Sequence, residues 1–360
     1  MDKLLILALV LGLALSPPVQ ALEIGGQAAL LWSGSLQDND FDSELTESLD
    51  LEIFFPRVNN LELRYGFLLT RPLQGLLADK EGSYFAKKLY LKHRSKLFHL
   101  TVGRQPVSWS FGSLINPVDF TLGAETLDTE QQSKYTDAVE VYIPVNWNSS
   151  LALVLSFPDG FIDEPDRMKW GIRGRTGMGG YDVTLNYVHE AGDAYPLIPR
   201  QRLGLALKGD VGSLGVYGAF GLYFDQDVDS SRSYLAGVDY SYNLDYDAKI
   251  TMQLEYLGIE PDSMEASMRT GLLKMDSSDD RLDLLIGRIT YPIDYFASLS
   301  LVTMVSLDDG SVIVGPIYQN TLPGNIDLNV GATAFLGRDG ALFAPDPLRA
   351  IVSIDLSYPF

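Results

Sequence analysis

Few side chains in this sequence could carry covalent or metal chemistry, and their spacing works against most of it. The three histidines, His93, His99 and His189, are dispersed and no His-Glu-x-x-His segment occurs, so a zinc centre is not indicated. Cysteine is absent, which removes thiolate catalysis, thiolate metal sites and disulfides together. Ser110 with His99 is the least poor nucleophile and base for ester hydrolysis, but no Gly-x-Ser-x-Gly surrounds the serine, and the expectation is that the protein is not an enzyme. Gly212, Gly215, Gly218 and Gly221 recur every third residue inside a strand-like pattern with no helix after it, which does not make a phosphate cradle. Asp38-x-Asp40-x-Asp42 and Asp225-x-Asp227-x-Asp229 begin like calcium loops, yet both place Ser where the sharp turn needs Gly and both lack the closing Glu. No cofactor is expected, and loosely held Ca²⁺ or Mg²⁺ at these acidic segments is the metal chemistry left open.

What remains is charge held in a regular pattern. Arg64, Lys88, Lys92, Arg94, Arg104, Arg173, Arg175, Arg202 and Lys208, with Glu52, Glu62 and Asp182, sit among apolar neighbours in two-residue alternation. Leu61, Leu63, Tyr65, Phe67 and Leu69, for example, oppose Glu62, Arg64 and Gly66, as the two faces of a β-strand do. About eighteen such runs, each of about nine to twelve residues, begin near 24, 44, 61, 84, 97, 136, 150, 168, 181, 201, 214, 233, 247, 281, 296, 311, 326 and 349, the length that a tilted strand needs to cross a bilayer. Sandwich strands are shorter and their turns recur more often, and no solenoid repeat is visible.

Connections alternate in length. Those at 56–60, 95–96, 146–149, 177–180, 210–213, 244–246, 292–295 and 319–325 are brief, while 34–43, 71–83, 105–135, 158–167, 192–200, 225–232, 259–280 and 337–348 are longer. Asp308-Asp309-Gly310 is the exception, a tight hairpin on the long-loop side. Short turns at one end and long loops at the other predict an all-β, up-and-down transmembrane antiparallel barrel of sixteen to eighteen strands. Ionised residues on so many inward faces require water inside, because an unpaired buried ion costs several kcal/mol. The net charge of −20 argues against a nucleic-acid partner.

The two ends agree with export to a membrane. Met1-Asp2-Lys3, an apolar run over 4–15 and Val19-Gln20-Ala21 read as a signal peptide over 1–21 cut after Ala21, leaving 22–360 as one barrel. No later segment approaches eighteen consecutive apolar residues. At the other end Val352, Ile354, Leu356, Tyr358 and Phe360 share one face, and the chain stops on the aromatic. This resembles the closing strand of a bacterial outer-membrane barrel. The resemblance implies that Tyr358 and Phe360 are read by the barrel-assembly machinery, that the protein sits in the outer membrane of a Gram-negative-type envelope, and that its partners are membrane lipid and lipopolysaccharide.

The segment 103–120 opens the longest loop. Its Gly103, Arg104, Gln105, Ser108, Gly112, Asp119 and Phe120 resemble the alginate-export-like group of outer-membrane porins, which implies an eighteen-stranded channel for anionic polysaccharide or small carboxylates. Trp109, Phe111, Asp119 and Phe120 are the expected constriction, with 105–135 folded into the mouth. The reading is passive diffusion of small polar or charged solutes, with a homotrimer as one assembly open to it. The alternative is a plugged structural or adhesive barrel whose outer loops do the work.

Overall fold

The computed structural model describes residues 22–37, 40–73, 82–107, 109, 135–157, 160, 168–190, 200–224, 230–245, 248–260, 281–338, 340–343 and 348–360. Its strands are β1 (Glu23–Gln37), β2 (Asp40–Phe54), β3 (Leu61–Thr70), β4 (Ser83–Arg94), β5 (His99–Pro106), β6 (Tyr135–Asn146), β7 (Ser149–Phe157), β8 (Lys169–Met178) and β9 (Tyr181–Glu190). They continue with β10 (Gln201–Val211), β11 (Leu214–Phe224), β12 (Ser231–Asn243), β13 (Lys249–Ile259), β14 (Leu282–Pro292), β15 (Ala297–Ser306), β16 (Val312–Leu322), β17 (Ile326–Leu336) and β18 (Leu348–Pro359). Each pairs antiparallel with its sequence neighbours, and β1 also pairs with β18, so the 18-stranded sheet closes on itself without an edge. Phe360 extends that last ladder, its N–H donating to Gly26 O at 3.0 Å while Gly26 N–H donates to Phe360 O at 2.9 Å.

Alternation decides which face is outside. On β10, Leu203, Leu205 and Leu207 are 40, 47 and 43 % exposed, whereas Arg202 and Ala206, of the opposite parity, are both 5 % exposed. The same parity continues around the sheet through register pairs such as Leu205↔Leu185, Leu205↔Phe220 and Leu254↔Val238. Apolar side chains therefore cover the outer wall and polar ones point inward, the reverse of a soluble domain. Outward aromatics gather toward both ends: Tyr65, Phe67, Tyr84, Trp170, Tyr187, Tyr234 and Tyr256 toward the long-loop end, and Trp147, Tyr242, Tyr291 and Tyr295 toward the other. Such rings suit a boundary between hydrocarbon and water.

The short-turn end uses two-residue reversals where the backbone allows them. Gly179 and Gly180, at φ 61° and 87°, join β8 to β9 in the left-handed conformation that a tight hairpin demands. Along the chain the strands begin within about two residues of the sequence reading, except β2. The segment expected as the first outer loop, 34–43, is instead the extended tip of the β1–β2 hairpin, with Ser35↔Asp42 and Gln37↔Asp40 in register. Acidic residues concealed that strand because beyond the apolar belt nothing requires alternation.

A second finding concerns the bore. Water is expected inside it, and the β10–β16 wall adds toward the long-loop end an inward apolar core of Ala206, Tyr217, Ala219, Leu235, Leu257, Ile259, Leu282, Leu284, Ile286 and Met304. Leu342 and Phe343, from the connection between β17 and β18, cap it, and Phe343 is 1 % exposed. That connection is held by the Asp309 hairpin. Leu342 N–H donates to Asp309 Oδ2 at 2.6 Å, Phe343 N–H to Ser311 Oγ at 3.1 Å, and Ser311 Oγ to Asp309 Oδ1 at 2.6 Å. The sequence signal for this core was loss of alternation: Leu282, Leu284, Leu285 and Ile286 are apolar on both faces of β14.

Candidate functional site

Away from that core, the inner surface carries ionised and hydroxylic side chains, of which three groups among the described residues hold the cations expected from the sequence. On β2 and β4, Asp50 and Glu52 face Lys87 and Lys88, and each lysine forms an ion pair with one of the acids. A bulge on β4 opposite Gly66/Phe67 turns Lys87 inward beside Lys88. The charges of β2 and β4 are therefore neutralised locally. Partly buried along the inner wall, such pairs stabilise the fold by about 1 kcal/mol each, so their main consequence is for the local field.

The second group lies at the short-turn mouth. Glu62 on β3 is 5 % exposed. Its Oε1 accepts from Arg64 Nε at 2.7 Å, and its Oε2 accepts from Arg57 Nη2 at 3.0 Å and Arg94 Nη2 at 3.3 Å. Lys92 stands directly across the ladder from Glu62. The turn that carries Arg57 is tied down: Val58 N–H donates to Leu61 O at 3.1 Å, Leu61 N–H to Val58 O at 2.9 Å, and Arg94 N–H to Asn60 O at 2.9 Å. Arg64 also lies over the Phe54 ring, 4.3 Å from its centroid. Arg57 was read from sequence as part of a turn; the signal available was its position five residues before an inward glutamate.

The third group is the basic wall of β8–β10. Arg173, Arg175, Asp182, Thr184 and Lys208 line a recess of about 330 Å³. Arg175 Nη2 donates to Asp182 Oδ2 at 2.7 Å, and Lys208, in register with Asp182, lies 5.8 Å from the Tyr217 ring centroid. Higher on the same wall Arg202, 5 % exposed, reaches Glu190 at 3.7 Å. Strand parity alone brings these residues together, because positions two apart on three adjacent strands must share one face.

Arg104 lies at the long-loop end of β5. The β4–β5 ladder ends at Leu89↔Arg104, one residue beyond Gly103, whose φ is +119°. There Arg104 lies 5.3 Å from the Phe85 ring centroid and 3.9 Å from Asp137, at the point where the two strands part. The chain then turns inward: Val107 and Trp109, 3 and 5 % exposed, pack against Ala138, Val154 and Val188, inward residues of β6, β7 and β9. Phe111, Asp119 and Phe120, also expected at a constriction, lie outside the described residues, as do Ser110, Asp38, Asp225, Asp227, Asp229 and 1–21. Asp40 and Asp42 lie on β2, and among the described residues no three His, Asp or Glu side chains gather as metal ligands would. His93 is near Phe98 and His99 stacks on Tyr142 at 5.7 Å, while His189 contacts Trp170 on the outer wall.

Compared with known protein families and with curated proteins, the chain matches none. Solved structures do match. A multiply substituted form of the Rh. blastica porin is 13 % identical with a TM-score of 0.51, over 94 % of this chain and all of that one. A triple mutant of the same porin, named there Rhodopseudomonas blastica, gives 13 % and 0.51 over the same shares. A structure described as "Asymmetric conductivity of engineered proteins" gives 13 % and 0.52, again over 94 % of this chain and all of that one. None of these likenesses bears on the alginate-export-like resemblance at 103–120, most of which lies outside the described residues. What they establish, together with the closed ladder, is that this chain has the fold of a porin barrel.

Proposed function

We propose that the protein is an outer-membrane channel through which small polar or charged solutes diffuse passively. The observation that carries this reading is the opposition of the two faces: an apolar outer belt closed through eighteen strands surrounds an inner wall bearing the Glu62 arginines and the β8–β10 cations. Hydrocarbon on the outside and water on part of the inside satisfy both faces at once, and no other pair of solvents does. Barrels of this strand number are wide enough for an aqueous path, here narrowed by the Phe343 core on one wall and Trp109 on another. Rings of fixed charge beside such a path select among ions.

A second reading, a plugged barrel with working outer loops, is favoured by the same two apolar clusters. Planar-bilayer recording of the detergent-purified protein in molar KCl separates them: steady unitary conductance is expected, and a barrel that inserts yet passes no ion current would establish the plugged form. In asymmetric KCl the reversal potential is expected on the anion-selective side if the path follows β2–β10, where the β2 acids are paired with lysines and the mouth and β8–β10 cations outnumber their acids, and on the cation-selective side if it follows β17 and β18, which carry the inward acids Asp327 and Asp355. Export after cleavage at Ala21, assembly through Tyr358 and Phe360, lipopolysaccharide contacts with loosely bound Ca²⁺ or Mg²⁺, trimeric association and an alginate-like solute belong to this proposal.

A further inference from the structure

A structural ion pair needs one arginine; the Glu62 carboxylate gathers three. Three positive charges on one negative leave a surplus of two, and Lys92 opposite adds to it. Burial is distributed unequally. The Glu62 side chain is 6 % exposed, while those of Arg64, Arg94 and Arg57 are 31, 41 and 56 % exposed. The acid is thus the covered anchor and the guanidiniums form the accessible surface. Each guanidinium carries five N–H donors, of which its bond to Glu62 engages one, and Arg94 Nε is buried without a hydrogen-bond partner. The stapled turn and the Phe54 face fix the arginines before any ligand arrives, which lowers the ordering cost of binding.

We propose that Arg57, Arg64 and Arg94 form a binding site for a doubly charged tetrahedral oxyanion, phosphate or a phosphomonoester, at the short-turn mouth of the barrel. The charge surplus matches a dianion, and forked donors converging from three directions suit the several oxygens of a tetrahedral group. The site's place on a solute's route rests on the channel reading; the binding itself does not.

The test is calorimetric titration of the folded, detergent-purified barrel with inorganic phosphate at slightly alkaline pH, where phosphate is dianionic. Saturable binding at one site is expected, weakened roughly tenfold or more by Arg94→Gln and by the more exposed Arg57→Gln, since each removes a charge-assisted bond. Arg281→Gln, on the outer wall, should leave it unchanged. Glu62→Gln removes the competing negative charge but keeps an oxygen that accepts from the arginines, so phosphate binding should be retained or tightened; its loss would mean that the arginines serve Glu62 alone and would overturn the proposal. Absence of phosphate binding, or binding indifferent to both arginine variants, overturns the proposal. Malonate binding as tightly as phosphate overturns the tetrahedral assignment. Phosphate binding in a protein that conducts no ions would sink the channel reading and sustain this site. A competition arm distinguishes sources: a soluble hexose phosphate should displace inorganic phosphate, and anionic lipid headgroups in mixed micelles should not, because the site faces the bore.

Discussion

Replacing Asp309 with Asn should release the loop that caps the dry side of the bore. The carboxylate accepts from Ser311 N–H at 2.9 Å, Ser311 Oγ at 2.6 Å and Leu342 N–H at 2.6 Å. The first two are internal to the hairpin; only the third reaches the capping segment. Hydrogen bonds to a charged acceptor contribute about 1.5–3 kcal/mol and neutral ones about half as much, so exchanging the carboxylate for an amide that can still accept should shift the docked-to-undocked ratio by roughly five- to tenfold. Phe343→Ala should act on the same equilibrium more strongly, because full burial of that ring is worth about 1.5–3 kcal/mol. Hydrogen exchange read by mass spectrometry over 340–343 measures it directly: exchange there should accelerate by those factors while β15 and β16 keep their protection. Wild-type protection at Leu342 and Phe343 in the Asp309→Asn protein would refute the reasoning. Acid should reproduce the effect with a definite sign. Burial alone would raise the Asp309 carboxyl above its ordinary value of 3.8, but the bonds from Ser311 and the Leu342 N–H outweigh it and hold the group below. A depressed carboxylate stabilises fully above its unfolded value and less as pH falls through the folded one, so protection should be constant from neutrality to about pH 5 and decline only in stronger acid.

Two further outcomes test the wall. Leu205→Lys places a cation at the middle of the outer face of β10 and should cost about 2–4 kcal/mol in refolding into lipid vesicles, measured by urea titration; an unchanged midpoint would mean that this face does not meet hydrocarbon. Gly103→Ala puts a methyl group 2.2 Å from Leu89 O at a φ of +119° and should cost about 1–3 kcal/mol, whereas Gly174→Ala, with nothing within 4 Å, should be near neutral in the same titration.

Much of the architecture was legible because the membrane imposes a repeated rule. Eighteen runs of alternating residues, with short and long connections in turn, become eighteen strands starting close to where the pattern begins, as at Leu61, Tyr181, Gln201, Leu214 and Ile326. Where the rule lapses, so does the reading. Asp40 and Asp42 lie on a strand that rises past the apolar belt, and the inward leucines of β12–β14 face a folded-in loop that local sequence does not reveal. The candidate site divides similarly. Arg64, Lys92, Arg94 and Glu62 are inward by parity, but that one carboxylate collects three guanidiniums, one from a turn, depends on where β3, β4 and their connection meet.

Alternation thus determined, from the residues themselves, which side chains face out and which face in, since a strand has only two faces and a bilayer accepts only one kind. Partnership around the bore belonged to the tertiary structure alone. Closure through β1 and β18, the bulge that turns Lys87 toward Asp50 and the inward turn after Gly103 bring together groups tens of residues apart, and electrostatic pairing falls off with distance in space, not along the chain.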